Sequence, residues 1–559
     1  MVGIFTAILF TLSAQQLLRP DTASVRGTVV ALGNSQPVGK AVVQLRGPGS
    51  EPLVVATGAD GRFEFRNLLP GSYQLSATRS GYLDTTFGQR GPSGSGQSLM
   101  VEAGANISDI RLLMTATGAI AGRVFDDTGE PLANVPVHAF KYSYAEGEKT
   151  LTQIKADETN DLGEFRLFWL PPGQYYVSAQ PRDTANGAAF LMTHENDGRF
   201  VFNGNAGRSS AQKLGEAHVP VYYPGTPTLE SATRIEVRPG GDVPGIDFAL
   251  SRVSTRKVSG VVIDSTTGQP AEPVNVQLVP RGDAGAGQPA FAPSNGGKFD
   301  IAGVIPGSYY LVASARLGPS DDIKILGGRT AIEVGSSDVD NLVVPLRPAI
   351  DVAGGIDVEG RPEGFSDADH PVITLQGRRD GTLPGISQIY GSIKNGRQIE
   401  FNSVIEGDYQ IRWSNLPADL YVKSVRFGPA DATNGTVRID SRTTDRLQIV
   451  LGSSSGTIDG LVVDRLRNPM TAATVVLIPD VARRQRTDLY KTAASDQSGR
   501  FQLRGIPPGD YLLFAWEDIE SGLWQDAEFI RRNEASGKPV RITENSRETL
   551  EAVAIPFAF

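Results

Sequence analysis

The chain has 559 residues, with 53 Lys and Arg against 62 Asp and Glu, so its net charge is −9 and the two signs are interspersed. This balance provides no positive field for a phosphate backbone and argues against nucleic acid as a partner. The absence of cysteine excludes disulfides and thiolate metal sites, and the length exceeds what one hydrophobic core can organise.

The chain begins with an apolar run that ends in the small residues Ser13 and Ala14, after which the sequence turns polar. This pattern predicts a secretory signal segment over 1–14. No Lys or Arg precedes the run, so the alternatives are a displaced start of the chain and a buried strand. No other stretch reaches the roughly 18 apolar residues that span a bilayer, and we expect no transmembrane span in the mature chain.

One motif recurs five times downstream. A Phe or Ile is followed ten residues later by a Tyr, with a Gly two positions before that Tyr. The copies run from Phe63 to Tyr73, Phe165 to Tyr175, Phe299 to Tyr309, Ile399 to Tyr409 and Phe501 to Tyr511. Repetition of one short unit is typical of a modular or structural protein.

Each copy lies within the same predicted series of strands. An alternating strand with a central Gly opens the repeat, at positions 27, 122, 260, 354 and 460. A second apolar strand, an Asn/Asp-Gly type hairpin, the Phe strand, a Pro-Gly type corner, the Tyr strand and a closing apolar strand follow. We expect the Tyr ring to pack inward while its hydroxyl reaches a backbone group at the corner. Glu406 replaces the corner proline in the fourth copy, which predicts a less rigid corner.

Six or seven short strands per repeat, without helical periodicity, predict an all-β chain of antiparallel β-sandwich domains. We place five of them in tandem, at 22–116, 117–252, 253–348, 349–452 and 453–559, and call these segments repeats 1 to 5. Repeat 2 has insertions at about 143–160 and 182–217, and repeat 4 is degenerate. Short linkers predict an extended, semi-rigid rod.

These motifs resemble the carboxypeptidase regulatory-like domain family, in the order G-x-V, apolar strand, D/N-G-x-F-x-F and P-G-x-Y-x-L. The family has a transthyretin-like, Ig-like sandwich that is similar to Cna B-type and carbohydrate-binding-like folds. The resemblance covers nearly the whole mature chain. It implies a noncatalytic accessory module in secreted, periplasmic or outer-membrane-associated proteins.

Catalytic motifs are not found in the sequence. The four histidines, at positions 138, 194, 218 and 370, are widely separated and none begins an H-x-x-E pair. There is no G-x-S-x-G elbow, and adjacent carboxylates such as Asp126 and Asp127 are more typical of turns than of calcium sites. We therefore expect no enzymatic activity, no metal and no cofactor.

Aromatic side chains are the candidate ligand-binding residues, because sugars stack their apolar faces on exposed rings. The candidates are Tyr222, Tyr223, Trp169, Trp516 and Trp524. Trp169 and Trp516 lie in or beside core strands, and packing in the core is the alternative for them. Tyr222 and Tyr223 lie in a loop-rich segment, where function tends to collect.

The sequence therefore predicts a noncatalytic scaffold or adhesion protein of the secreted or cell-envelope class, with polysaccharide or an envelope protein as partner. Carbohydrate binding follows from the fold resemblance. The alternative is a structural spacer or accessory subunit of an outer-membrane complex without a sugar ligand, whose strand edges pair with another chain. An enzyme would need a carboxylate pair or nucleophile shared between repeats.

Overall fold

The computed structural model describes residues 22–49, 51–94, 96–145, 148–181, 191–194, 200–203, 215–281, 290–292, 295–318, 324–361, 364–365, 371–378, 388–440 and 444–556. The predicted signal segment, 1–14, and most of the second insertion of repeat 2 lie outside these residues. The chain divides into two compact units, of which the first ends at Thr115 and the second begins at Ala116.

The expected all-β fold of antiparallel β-sandwiches is confirmed. Among the described residues, each of the main hydrophobic clusters lies inside a single repeat. The number of sandwiches and their boundaries stay predictions. Among the described residues there is one short α-helix, α1 (Ala527–Asn533) in repeat 5, which was not predicted.

The first unit contains repeat 1. Its strands are β1 (Ala23–Ala31), β2 (Val42–Arg46), β3 (Leu53–Ala56), β4 (Arg62–Leu68), β5 (Gly71–Thr78), β6 (Thr85–Thr86), β7 (Ser98–Val101) and β8 (Asn106–Met114). One sheet has the order β4-β1-β8, and the other has the order β3-β2-β5-β6 with β7 also paired to β5. The inward residues of both sheets form one core, as the period-two alternation requires.

The opening glycine is explained by the pairing of the opening and closing strands. β1 pairs in parallel with β8, and the register shifts between Val25 and Gly27. A Cβ on Gly27 would lie 2.3 Å from the carbonyl oxygen of Ile110 and 2.7 Å from the ring of Phe63. Only glycine fits where the partner backbone comes this close.

Repeats 2 and 3 begin the second unit. The strands of repeat 2 are β9 (Gly118–Phe125), β10 (Pro136–Ala145), β11 (Glu148–Glu158), β12 (Glu164–Leu170), β13 (Gly173–Ala179), β14 (Leu191–His194), β15 (Phe200–Asn203), β16 (Glu216–His218), β17 (Val221–Tyr222), β18 (Ile235–Val237), β19 (Asp242–Val243), β20 (Phe248–Ala249) and β21 (Arg252–Ser254). Those of repeat 3 are β22 (Arg256–Asp264), β23 (Val274–Pro280), β24 (Ala290–Ala292), β25 (Lys298–Val304), β26 (Gly307–Leu317), β27 (Lys324–Val334) and β28 (Val339–Pro348).

Repeats 4 and 5 complete the second unit. Repeat 4 has β29 (Ile350–Val358), β30 (Val372–Gly377), β31 (Gln388–Tyr390), β32 (Ser392–Lys394), β33 (Gln398–Val404), β34 (Gly407–Ser414), β35 (Tyr421–Phe427), β36 (Ala430–Asp431), β37 (Thr436–Ile439) and β38 (Leu447–Gly452). Repeat 5 has β39 (Gly456–Val463), β40 (Thr474–Pro479), β41 (Lys491–Ala494), β42 (Arg500–Ile506), β43 (Gly509–Trp516), α1 (Ala527–Asn533), β44 (Lys538–Ile542) and β45 (Arg547–Val553).

All five motif tyrosines make the predicted corner. Each ring is buried, and each hydroxyl donates to the carbonyl oxygen four residues earlier. The donors and acceptors are Tyr73 and Leu69, Tyr175 and Pro171, Tyr309 and Ile305, Tyr409 and Ile405, and Tyr511 and Pro507, at 2.5 to 2.9 Å. Each bond satisfies a carbonyl at the bend between the Phe strand and the Tyr strand.

In the second unit, repeats that do not follow one another in sequence are in contact. The expected extended rod is therefore wrong for this unit. The β10–β11 hairpin occupies most of the first predicted insertion of repeat 2. Its Tyr144 hydrogen-bonds Asp526, and its Lys141 pairs with Glu520 at 2.8 Å, both partners being in repeat 5. Glu406, at the degenerate corner of repeat 4, pairs with Arg347 of repeat 3 at 2.5 Å.

Candidate ligand-binding surface

The outer face of β12 in repeat 2 carries two exposed aromatic side chains. The strand alternates, so that Phe165 and Leu167 are buried while Arg166 and Phe168 point outward. The register to β9 then shifts between Phe168 and Leu170, and this bulge turns Trp169 outward as well. Phe168 is 40% exposed and Trp169 is 55% exposed.

The bulge requires a left-handed backbone, with φ of 62° at Trp169. The same motif position is left-handed in all five repeats, and its other occupants are Asn67, Gly303, Ser403 and Gly505. Glycine and asparagine adopt this conformation at low cost, whereas a bulky residue is strained in it by roughly 1 kcal/mol or more. Repeat 2 therefore holds an exposed Trp at a position where the backbone favours a small residue.

The two rings form a compact pair. Their centroids are 4.9 Å apart and their planes meet at 79°. The ammonium of Lys155, from β11, lies 4.7 Å from the centroid of Phe168 and 5.6 Å from that of Trp169. Lys155 thus contacts Phe168 more closely, and Trp169 is the ring more open to a ligand.

A cavity of about 690 Å³ lies along β12, and of that strand Glu164, Phe165 and Arg166 line it. We call it the β12 groove, and its lining includes Ala121, Arg123, Asp157, Glu158, Asn160, Glu164, Arg166 and Asp247. Arg166 and Asp157 each lie two positions along their strand from Phe168 and Lys155, so they share the outward face with those residues. The aromatic pair and the groove are therefore parts of one surface.

The charged side chains of the groove hold one another in place. Glu164 accepts hydrogen bonds from Asn160 Nδ2 at 3.2 Å and from Arg123 Nη2 at 2.7 Å. These donors, Asn160 first and then Arg123, hold the pKa of Glu164 below its usual value, so it stays ionised at neutral pH. Asp247 Oδ1 accepts the backbone N–H of Arg123 at 2.9 Å, and Asp157 Oδ2 accepts that of Arg166 at 3.0 Å.

The other candidate aromatic residues lie elsewhere, and their rings are packed. Tyr222 has 0% exposure and contacts Phe140 at a centroid distance of 6.4 Å. Tyr223 is half-buried against the core of repeat 2, edge-on to Phe248 at 6.0 Å. A fully enclosed ring offers no face to a ligand, so Tyr222 has the role of a packing residue.

The two tryptophans of repeat 5 belong to a second hydrophobic cluster on its outer sheet face. Trp516 is 3% exposed and stacks on Phe514 at 5.0 Å, as the core-packing alternative predicted. Trp524 is half-buried against the same cluster, beside α1. For Trp169 that alternative is wrong, because the bulge turns its ring out of the core.

Phe168, Lys155 and the β12 groove were not predicted as parts of a site. The sequence does contain a signal for Trp169, since the fifth position of the motif is Asn, Gly, Ser and Gly in the other copies.

Among the described residues, no three His, Asp or Glu side chains are placed to share a metal ion. No helix in the same part of the chain has the length and apolar character needed to cross a bilayer.

Comparison with known families gives one match, in which the carboxypeptidase regulatory-like domain covers residues 24–112. That segment contains the first copy of the motif and nearly all of repeat 1. The recognition made from the motif is thus confirmed for repeat 1. No curated protein matches the chain.

Solved structures with similarity to the chain include a TIE protein and two pilins. The TIE protein of Bacillus anthracis is 12% identical over 58% of this chain and 51% of its own length, with a TM-score of 0.17. The major pilin subunit of Bacillus cereus is 9% identical over 58% of this chain and 99% of its own, with a TM-score of 0.16. The minor pilin of Streptococcus agalactiae is 14% identical over 41% and 96%, with a TM-score of 0.20. The chain spans about half the length of the first of these proteins, and TM-scores this low carry no function across.

Proposed function

Because residues 24–112 belong to the carboxypeptidase regulatory-like domain family, we propose that the chain is a noncatalytic scaffold or adhesion protein that binds polysaccharide through repeat 2. Its β-sandwich repeats serve as rigid supports, and the binding surface is the aromatic pair of Phe168 and Trp169 with the adjoining groove. The protein acts outside the cytoplasm, in the secreted or cell-envelope compartment.

The exposed Trp169 carries this proposal. A left-handed position that holds Asn, Gly or Ser in the other repeats holds a strained tryptophan here. Strain of this kind persists where it serves a function, and the ring does not contribute to the core. Exposed indole rings are suited to sugars because the apolar face of a pyranose stacks on them.

The test is affinity electrophoresis of the full chain against hydroxyethyl cellulose, xyloglucan and glucomannan as uncharged polymers, and polygalacturonate and alginate as uronate polymers. Trp169→Asn removes the ring while keeping a residue type that occupies the same position in repeat 1. Tyr390→Ser is the matched control, because Tyr390 is 65% exposed but lies in repeat 4. We expect retardation of the wild type and of Tyr390→Ser, and its loss in Trp169→Asn. Retardation that Trp169→Asn retains would contradict the assignment to this surface.

A spacer or accessory subunit without a sugar ligand is the second candidate. It is favoured by β3, which forms the edge of its sheet in repeat 1 and exposes Leu53 and Val54 by 45% and 55%. An apolar edge strand is a template for pairing with a strand of another chain. If no polymer retards the chain, crosslinking from Val54→Cys in envelope fractions decides whether a protein partner pairs with this edge.

A further inference from the structure

The aromatic pair and the β12 groove are arranged along one strand. From Phe168 to Glu164, β12 advances four residues, or about 13 Å. Arg166 lies between them on the same face. The residue paired with Arg166 on the neighbouring strand β9 is Ala121, which lines the groove. A ligand stacked on Trp169 and extended along β12 would therefore reach the groove.

The lining of the groove has an excess of carboxylates. Its ionisable members are two arginines, Arg123 and Arg166, and four acids. These acids are Asp157, Glu158, Glu164 and Asp247. Both arginines are already engaged, Arg123 with Glu164 at 2.7 Å and Arg166 with Asp242 at 3.3 Å. The groove therefore has no surplus positive charge for the carboxylate of a uronic acid, and its own acids repel one. The cation of the adjoining pair, Lys155, lies over the rings of Phe168 and Trp169 and outside the groove lining.

We infer that this surface binds an internal segment of an uncharged polysaccharide, with one sugar stacked on Trp169 and the following sugars lying in the β12 groove. This inference rests on the proposed function. The open groove accepts a chain that continues beyond it. Carboxylates with fixed positions accept hydrogen bonds from the sugar hydroxyls, and such charge-assisted bonds are stronger than bonds between neutral groups.

A substitution in the groove separates this inference from binding at the aromatic pair alone. Ala121 lies on the outer face of β9, where a sheet tolerates an aromatic side chain. Ala121→Trp would fill the groove while leaving Trp169 unchanged, and Ala121→Ser is its small control. Asp247→Asn keeps an oxygen that can accept the backbone N–H of Arg123 but removes one negative charge. It therefore tests the groove without adding volume.

The experiment is calorimetric titration of the full chain with the tetrasaccharide and the monosaccharide of the uncharged polymer that causes retardation. In the wild type and in Ala121→Ser we expect the tetrasaccharide to bind at least about tenfold more tightly than the monosaccharide. In Ala121→Trp that difference should disappear while monosaccharide binding persists. Asp247→Asn should weaken only the tetrasaccharide, by several-fold.

The outcomes distinguish failure of the proposed polysaccharide binding from failure of the inference about the β12 groove. If no polymer binds, the proposed function fails and this inference fails with it. If polymers bind and Trp169→Asn abolishes binding, the proposed function stands. The inference is then overturned when uronate polymers bind more tightly than uncharged ones. It is also overturned when a correctly folded Ala121→Trp and Asp247→Asn both keep the wild-type dependence on chain length.

Discussion

The hydroxyl of Tyr144 donates a 2.7 Å hydrogen bond to Oδ2 of Asp526, joining the β10–β11 hairpin of repeat 2 to repeat 5. Asp526 also caps α1 by accepting the N–H of Phe529 at 2.7 Å, and Lys149 lies 3.6 Å from the same carboxylate. One side chain thus caps the N-terminus of a helix and connects two repeats that are not neighbours in sequence. Gly522 adds to this contact, because a Cβ there would lie 2.0 Å from the carbonyl oxygen of Tyr144.

Removing the Tyr144 hydroxyl should weaken both repeats together. Tyr144→Phe leaves the ring in place and deletes a bond to a charged acceptor, which costs about 1.5 to 3 kcal/mol. We expect a lower unfolding midpoint in thermal denaturation of the full chain, with the transitions of repeats 2 and 5 both shifted. Tyr390→Phe, at an exposed tyrosine of repeat 4, is the control and should have no effect. Equal midpoints for Tyr144→Phe and wild type would show that the hydrogen bond contributes nothing.

The same contact should depend on acidity. Burial acts to raise the pKa of Asp526, but the hydrogen bonds from Phe529 N–H and Tyr144 and the charge of Lys149 outweigh it, and the pKa is lowered from 3.8. A lowered carboxyl pKa stabilises the folded chain above the unfolded value and ceases to do so as the pH falls through the folded value. The unfolding midpoints of wild type and Asp526→Asn should therefore differ at neutral pH and converge as the pH falls below about 4. A difference that stays constant over this range would contradict this account.

Replacing Trp169 should stabilise repeat 2. Trp169→Asn relieves a left-handed backbone strain of roughly 1 kcal/mol, and the ring that it removes is largely exposed. We expect a higher unfolding midpoint for repeat 2 at the same time as loss of polysaccharide binding. Phe168→Ala is the comparison, because Phe168 is not left-handed and its loss should not raise the midpoint. A lower midpoint in Trp169→Asn would mean that the ring serves packing.

The corner tyrosine of repeat 4, Tyr409, should limit stability at alkaline pH. Burial raises the pKa of Tyr409 to about 12, above its ordinary value of 10.0. The neutral phenol therefore stabilises the fold fully below the unfolded pKa, and this contribution is lost as the pH rises through the folded value. Tyr409→Phe should lower the free energy of unfolding of repeat 4 at neutral pH by about 1 kcal/mol, and it should remove part of the loss of stability seen above about pH 10. An unchanged alkaline profile in the variant would count against this role.

Two adjacent glycines of β29 should respond differently to alanine. A Cβ on Gly354 would lie 2.6 Å from the carbonyl oxygen of Leu447, whereas a Cβ on Gly355 would meet nothing within 4 Å. Gly354→Ala should destabilise repeat 4 by about 1 to 3 kcal/mol, because the parallel partner strand must move. Gly355→Ala should be neutral or slightly stabilising, since glycine weakens a strand. Chemical denaturation of both variants gives the comparison, and equal effects would contradict the close-approach explanation.

The strand series, the hairpin glycines and the tyrosine corners could be predicted from the sequence because each depends on residues close together in the chain. Tyr409 and its acceptor, for example, are four positions apart. The reason for Gly354 could not be predicted, because the clash comes from Leu447 in the closing strand. Glu406 predicts a less rigid corner in repeat 4. In the structure its carboxylate pairs with Arg347 of the preceding repeat, and the hydrogen bond from Tyr409 to the Ile405 carbonyl at that corner is present.

The candidate site shows the same division. Tyr222 and Trp169 were both candidates by residue type, Trp169 in or beside a core strand and Tyr222 in a segment expected to be rich in loops, although the structure places Tyr222 in β17. Only the tertiary structure decided that Tyr222 is enclosed in a cluster with Phe140 and Tyr176, whereas Trp169 is turned outward by a bulge. Exposure is set by which distant elements cover a given sheet face, and a local pattern contains no information about that cover. For the same reason, the motif determined the β-sandwich repeats, whereas the contact of Tyr144 with Asp526 depended on folding that brings repeats 2 and 5 together.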